Sequence, residues 1–337
     1  MSRERSEILA NMESEQITRE DKRLFRKSWE LSRAIHGNEL TFYLPGMIRY
    51  GRERGRYPAI SITGDRCQLM CEHCMGKLLE PMIKISQPVE LVNKCSKLSK
   101  SGCLGILLSG GSDPAGRLPW AKYFDALREV RDKTSLFLSA HTGFPDRETC
   151  LQLKDSGVNQ ALIDVMGDDE TASRIYHLEG LKPVLKALEG IAESGLQLIP
   201  HIVVGLFYGN MRAEYQALEI IRDYRPNALV IVVLTPLKGT PMSHIKPTAP
   251  IQVARLIAKA RLMMPNTPIS LGCERPRNKA GRLLESLALQ AGVNRIAIWS
   301  DQAIKEARSL GLDLRFQPTC CSLPTRRDFC FRDNLSF

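Results

Sequence analysis

Three cysteines, Cys67, Cys71 and Cys74, lie in the segment "SITGDRCQLMCEHCMGK" at the spacing C-x3-C-x2-C. The chain has ten cysteines and no apolar leader, so a reducing cytosolic setting is expected, and clustered thiols there point to metal or redox chemistry rather than disulfides. A structural zinc ion takes four ligands, commonly from two separated C-x2-C pairs. Here one triplet stands alone. His73 could be a fourth donor, but it adjoins Cys74, and neighbouring side chains rarely converge on one tetrahedral ion. Iron–sulfur cubanes are normally held by four thiolates. Three would leave one iron open to a substrate or cofactor.

Such a loop needs a rigid base. Past residue 57, short apolar runs alternate with amphipathic helical patterns. Strands are expected at 58–63, 104–109, 135–140, 160–165, 197–205, 228–234, 268–272 and 295–300. Helices are expected at 87–100, 121–132, 146–156, 182–195, 211–223, 250–263, 280–291 and 301–310, several ending in glycine at the C-cap position. Eight strand–helix pairs make an α/β fold, a (β/α)8 TIM-type barrel over 58–311. A helical extension over 1–57 and a short tail over 312–337 complete the chain. A doubly wound sheet would want a glycine-rich phosphate turn after its first strand; the cysteine loop stands there instead. In such a barrel, loops leaving the C-terminal strand ends carry the chemistry. The cysteine triplet, "SGGSDPAG", "HTG", "MGDD", "TPLKGTP" and "CERPR" all leave on that face.

Composition narrows the classes further. The formal charge is +10, much of it before residue 58. Interleaved acids and the lack of an aromatic-basic stacking motif weigh against nucleic acid. No run approaches the ~20 apolar residues of a membrane span, so a cytoplasmic protein without membrane contact is expected. Cys95, Cys103 and Cys150 stand alone in apolar periodic stretches and read as plain core or surface thiols.

The triplet in this context resembles the radical S-adenosylmethionine (radical SAM) superfamily, whose hallmark is C-x3-C-x2-C after the first barrel strand. The resemblance covers roughly residues 58–300. It implies a [4Fe-4S] cluster on Cys67, Cys71 and Cys74, with an open iron that chelates S-adenosylmethionine. An external electron donor is then needed for reductive cleavage to a 5′-deoxyadenosyl radical, which abstracts hydrogen from an unactivated carbon. His73 holds the position that is commonly aromatic and packs near the adenine. "LLSGGSD" resembles the Gly-Gly-Glu element that receives the cofactor's ammonium: Ser109, Gly110 and Gly111 match its place, Ser112 stands where Glu is usual, and Asp113 follows. "IPHIVVGL", with His201 and Gly205, resembles the fifth-strand element near the adenine and reads equally as a buried strand. Asp164, late in strand four, is a candidate for the ribose or the substrate, since a buried carboxylate needs a partner.

"LTPLKGTPM", with Pro236 and Thr240, resembles the P-x-x-G-T-P element of the biotin synthase-like branch. The tail "LDLRFQPTCCSLP" is expected to run back toward the mouth and deliver Cys320 and Cys321 beside Cys273, with Cys330 a fourth thiol. These are candidates for a second iron–sulfur cluster, as sulfur donor or electron relay. "GC-x-RP", the terminal "CC", "FYLPGMIRY" and "GKLLEPMI" look similar to one subunit of the two-protein lipoyl synthases. That resemblance implies sulfur insertion into an octanoyl chain on a protein lysine, an octanoylated carrier protein and a second radical SAM subunit, with Arg275 and Arg277 as mouth-rim candidates. Two alternatives stay open: another radical SAM reaction on the same barrel, such as rearrangement or methylthiolation, and a non-enzymatic zinc- or nucleic-acid-binding protein.

Overall fold

The apolar runs form parallel strands, as their two-sided burial demands. The computed structural model describes residues 17–46 and 48–331. All eight expected strands are present: β4 (Ala59–Ser61), β6 (Gly105–Ser109), β7 (Phe137–His141), β8 (Gln160–Asp164), β9 (Gln197–Val204), β10 (Leu229–Val233), β11 (Ile269–Leu271) and β12 (Arg295–Ala297). They are neighbours in that order in one sheet, and every pairing among them is parallel. Helices α2 (Pro88–Lys100), α3 (Phe124–Lys133), α4 (Arg147–Asp155), α6 (Lys182–Ser194), α7 (Glu214–Asp223), α8 (Pro250–Met263), α9 (Lys279–Gln290) and α10 (Asp301–Ser309) return the chain between strands. Asp146, Asn278 and Ser300 cap α4, α9 and α10 with their side chains, satisfying the free N–H groups there. This is the TIM-type α/β architecture, a parallel sheet curled around an interior.

Two further strands extend the sheet beyond β12. The first, β1 (Glu39–Tyr43), lies within the expected helical extension; the second, β13 (Asp313–Gln317), lies within the tail. They pair in parallel with each other, and β1 also pairs with β12. Among the described residues the extension holds a helix, α1 (Arg19–His36), whose capping box joins Thr18 to Asp21. Asp21 also binds Arg255 of α8, which fixes α1 to the barrel wall. At the opposite edge, β5 (Ile83–Lys84) adds to β4, and a small hairpin pairs β2 (Arg49–Tyr50) with β3 (Glu53–Arg54). The open seam is bridged by backbone: Arg56 N–H donates to Pro318 O at 2.8 Å, and Leu104 N–H donates to Arg56 O at 2.9 Å.

The lower interior departs from an ordinary barrel. Branched apolar side chains usually fill that layer, but here Ser139, Gln160, Ser270 and Arg295 are buried there. Buried polar groups need partners, and the chain's own tail supplies them. Gln160 Nε2 donates to Ser322 O at 3.1 Å, Ser270 Oγ to Cys321 O at 3.0 Å, and Tyr43 OH to Leu323 O at 2.9 Å. Arg295 Nη1 reaches the carbonyls of Cys321 and Ser322, each at 3.3 Å. Cys321 packs among Tyr43, Leu162, Ile199, Val230, Val232 and Ala297. Segment 319–325 is therefore a floor inside the barrel. Among the described residues, no helix is long and apolar enough to cross a membrane.

Candidate active site

The loop leaving β4 carries Cys67, Cys71 and Cys74, all free thiols. Its turn is set by backbone bonds: Cys74 N–H and Met75 N–H both donate to Cys71 O, at 3.1 and 2.9 Å. Met70 and Met75, flanking the second and third cysteines, have φ of 47° and 48°. A non-glycine residue in the left-handed region costs of order 1 kcal/mol, so the surroundings must hold the loop in shape. They do so from two sides.

The first side is the loop after β6. Ser112 O accepts N–H bonds from Gln68 at 2.8 Å and Leu69 at 3.2 Å, and Gly111 N–H donates to Thr63 Oγ1 at 2.7 Å. A Cβ on Gly111 would lie 2.0 Å from Arg66 O and 2.5 Å from Cys67 Cα. The expected reason for glycine was approach of the cofactor's ammonium; the structure supplies another, close packing of the cysteine loop itself. Asp113 is occupied by its own turn, accepting from the N–H groups of Ala115 and Arg117 at 2.9 Å each.

The second side is α5 (Asp169–Tyr176), a helix where the sequence predicts only a loop after strand four. Glu72 N–H donates to Ile175 O at 3.0 Å, and His177 Nδ1–H donates to Leu69 O at 2.9 Å. Tyr176 OH donates to Asp164 Oδ2 at 2.7 Å, and its ring lies 5.1 Å from that of His73. Asp164 Oδ1 stands 3.5 Å from His141 Nε2, and the His141 and His201 rings are 5.5 Å apart. Tyr176, His141 and His177 were not among the expected site residues. Only "HTG", leaving strand three on the active face, carried a signal.

The charges in this array are set by one another. Burial alone would raise Asp164, but His141, His201 and Tyr176 together hold it below the usual carboxylate range. Burial lowers His201 to about 4, with repulsion from His141 adding to it. Since His201 Nδ1 bonds Ile199 O at 3.1 Å, that nitrogen carries the proton and Nε2 is bare. Cys71 and Cys74 share a hydrogen bond, which raises Cys71 and lowers Cys74 to about 4, helped by His73. His73 is held up by the Cys74 thiolate and Asp164 against the pull of burial, and its buried Nδ1 has no hydrogen-bond partner among the described residues.

The tail thiols lie inside the barrel rather than along its rim. Cys320 is half-buried and is lowered to about 6, first by its hydrogen bond to Cys321. Cys273 is exposed after β11, yet its thiol is pushed up to about 11 by the groups packed around it and by the charge of Cys320. Cys330 Sγ turns to Arg326 O at 3.4 Å. Cys95 and Cys150 are buried and Cys103 half-buried, all without a site role.

Other expected residues have structural duties. Ser109 O accepts Ile62 N–H at 2.8 Å, closing β6 onto the start of the cysteine loop. Gly205 has φ 77°, donates its N–H to the buried Glu214 at 2.8 Å and leaves no room for a Cβ beside Thr248. Thr240 Oγ1 closes its turn on Leu237 O at 2.9 Å, half-buried Pro236 precedes it, and Gly239 lies against Lys77 after the cysteine loop. The mouth-rim expectation does not hold for Arg275: its side chain is out of solvent, paired to Glu285 at 2.7 Å and bonded to three carbonyls. Arg277 is exposed, but it too is tied to the carbonyls of Cys273 and Ile298.

A family model for the radical SAM superfamily matches residues 61–221, from the cysteine loop through α7. The chain belongs to that superfamily. A second model, the Biotin and Thiamin Synthesis associated domain, matches residues 230–317 and assigns it to the biotin synthase-like branch. This radical SAM chain is 24% identical over 307 residues to a biotin synthase of Neorickettsia sennetsu, covering 84% of the chain and 90% of that protein. It is 28% identical over 270 residues to one of Syntrophotalea carbinolica, covering 76% and 79%. Among solved structures, methylornithine synthase superposes with TM-score 0.62 at 16% identity over 88% of this chain and 90% of that one. The hydrogenase maturase HydG of Carboxydothermus hydrogenoformans gives 0.61 at 16% over 92% and 74%. These superpositions establish the shared fold.

The radical SAM family implies a [4Fe-4S] cluster and S-adenosylmethionine, and the residues present fit both. Three free thiols share one loop, and the Cys74 thiol is lowered by its hydrogen bond to Cys71 and by His73. Among the described residues, no three His, Cys, Asp or Glu side chains close on a single ion. Beside the triplet, the buried His73 Nδ1 has no hydrogen-bond partner among the described residues and is free to meet a bound group.

Proposed function

We propose that this chain inserts sulfur into an unactivated C–H bond of an octanoyl chain carried on a protein lysine, in the manner of the two-protein lipoyl synthases. The observation that carries this reading is the floor of the barrel. The tail is turned inward and held by Gln160, Ser270 and Arg295, so that Cys320 and Cys321 share the interior beneath the cysteine loop. The match to the Biotin and Thiamin Synthesis associated domain and the biotin synthase relatives support it.

In this reading Cys67, Cys71 and Cys74 hold the cluster that leaves one iron open. The bound cofactor supplies a carbon radical able to take hydrogen from an alkyl carbon. The chain's own residues bind and shield. Asp164, kept ionised by His141 and Tyr176, accepts the ribose hydroxyls. His73 packs at the nucleoside, and the backbone at Gly110 and Gly111 meets the methionyl end. Cys273, Cys320 and Cys321 would hold a second iron–sulfur cluster, which would supply the sulfur. The tail floor and the apolar residues around Cys321 keep water from the lower interior, where a reactive intermediate would otherwise be quenched. An external electron donor, an octanoylated carrier protein and a second radical SAM subunit complete the system.

The test is product analysis. Anaerobically reconstituted protein is given an octanoyl-lysyl peptide, S-adenosylmethionine and reductant, with and without a candidate second subunit. A product gaining the mass of sulfur supports the reading. Cofactor cleavage with an unmodified peptide, both with and without that subunit, sends the barrel to a different substrate.

A further inference from the structure

Three consecutive residues at the end of α5 each grip a different part of the site. Ile175 O takes the N–H of Glu72 at 3.0 Å, and His177 Nδ1 holds Leu69 O at 2.9 Å. Between them, Tyr176 faces two ways. Its hydroxyl donates to Asp164 Oδ2 at 2.7 Å, and its ring lies 5.1 Å from His73, the residue beside Cys74. The side chain is 4% exposed, and Phe144 braces it edge-on at 6.1 Å. A tyrosine has only two side-chain torsions, and packing on both faces leaves this one little freedom. It acts as a spacer of set length between β8 and the cysteine loop.

We propose that Tyr176 is a positioning residue that holds the Asp164 carboxylate in register with the cysteine loop, so that both ends of one bound S-adenosylmethionine are met at a set separation. The proposal rests on the reading of Asp164 as the nucleoside-binding carboxylate. A ligand gripped at two ends binds well only when the grips are spaced to its length, because preset spacing spares the ordering cost at binding. Tyr176 contacts Asp164 and His73 and acts through them.

The test compares Tyr176→Phe, Tyr176→Leu and Asp164→Asn in the full chain, reconstituted anaerobically. Tyr176→Phe keeps the ring and loses the hydroxyl. Its iron content and the paramagnetic resonance signal of the reduced cluster without cofactor should match wild type. Its calorimetric affinity for S-adenosylmethionine should fall about tenfold, the scale of one hydrogen bond to a charged group. Tyr176→Leu also loses the ring against His73, and should shift the cluster signal before any cofactor is added. In the Asp164→Asn background, Tyr176→Phe should cost little more, since the two act through one contact.

Wild-type affinity in Tyr176→Phe alongside weakened binding in Asp164→Asn overturns the proposal and leaves the Asp164 reading standing. Wild-type affinity in Asp164→Asn overturns both. Loss of iron in Tyr176→Phe reduces Tyr176 to a packing role and likewise overturns it.

Discussion

His141 Nε2 stands 3.5 Å from Asp164 Oδ1 across the ends of β7 and β8, joining two loops that share no sequence motif. Burial would lower the imidazole, but the carboxylate outweighs it and His141 is held above its ordinary value, while Asp164 is held below. The groups facing the pair are the neutral His201, Tyr176 and the Cys320 thiol. A raised histidine stabilises the fold fully below its unfolded value of about 6.5, and the contribution is lost as pH climbs through the folded value. A depressed aspartate stabilises above about 3.9 and is lost as pH falls through its folded value. Under reducing conditions, the stability that His141 adds to the metal-free protein, read as the urea-unfolding difference between wild type and His141→Gln, should therefore shrink as pH rises from about 6.5 upward. Referring wild type to His141→Gln removes the opposing gain from the lowered Cys74 and Cys320 thiols, which both proteins share. An unchanged slope in the variant would show that the pair contributes nothing.

Replacing Cys67, Cys71 or Cys74 singly with alanine should abolish reductive cleavage of S-adenosylmethionine. Three thiolates are the smallest set here that leaves an open iron. The measurement is 5′-deoxyadenosine released per protein; wild-type release by any one variant contradicts the ligand set.

Gly111→Val should lose cluster iron as well as cofactor binding. A Cβ there would sit 2.0 Å from Arg66 O, so the cysteine loop must shift. Overpacking against backbone also destabilises, by about 3 kcal/mol. Iron analysis and chemical denaturation check both parts. Full iron with weakened cofactor binding would instead favour direct approach of the ligand to this glycine.

Glu285→Ala should cost about 3–5 kcal/mol, the scale of leaving one buried charge unpaired. Glu285 takes Arg275 at 2.7 Å and also Ser300 N–H at 3.1 Å, which caps α10. Denaturant midpoints of the metal-free protein test this. A loss under about 1 kcal/mol would mean that Arg275 finds its stabilisation in carbonyls alone.

If Cys273, Cys320 and Cys321 hold a second cluster, wild-type protein should reconstitute to about eight irons. The variant lacking Cys67, Cys71 and Cys74 should keep roughly half of them. Cys273→Ala should spare cofactor cleavage and stop sulfur transfer. A variant of the first triplet without iron would make the tail thiols structural, and the sulfur-insertion reading would fall with them.

The sequence by itself determined the barrel and the place of the chemistry. Eight apolar runs, each followed by an amphipathic helical pattern, read as buried strands between covering helices. The C-x3-C-x2-C triplet was legible because ligands within one loop are local, and the radical SAM chemistry was what its resemblance to that superfamily implied. β1 was not legible: "ELTFY" is a five-residue run between a helix and a Pro-Gly turn, and only pairing with Arg295–Ala297 and Asp313–Gln317 makes it a strand. The helix α5 was hidden because its first turn, "DDET", reads as a polar loop until Asp168 caps it. Tertiary structure alone decided that Gly111 is glycine for the sake of Cys67, that Arg275 is an interior tie to Glu285, and that the tail enters the barrel. It also brought His141, Asp164, Tyr176 and His73 into one array. Each of those facts is a distance between residues on different elements or loops, set by how strands and helices pack side by side, and no local pattern encodes such a distance.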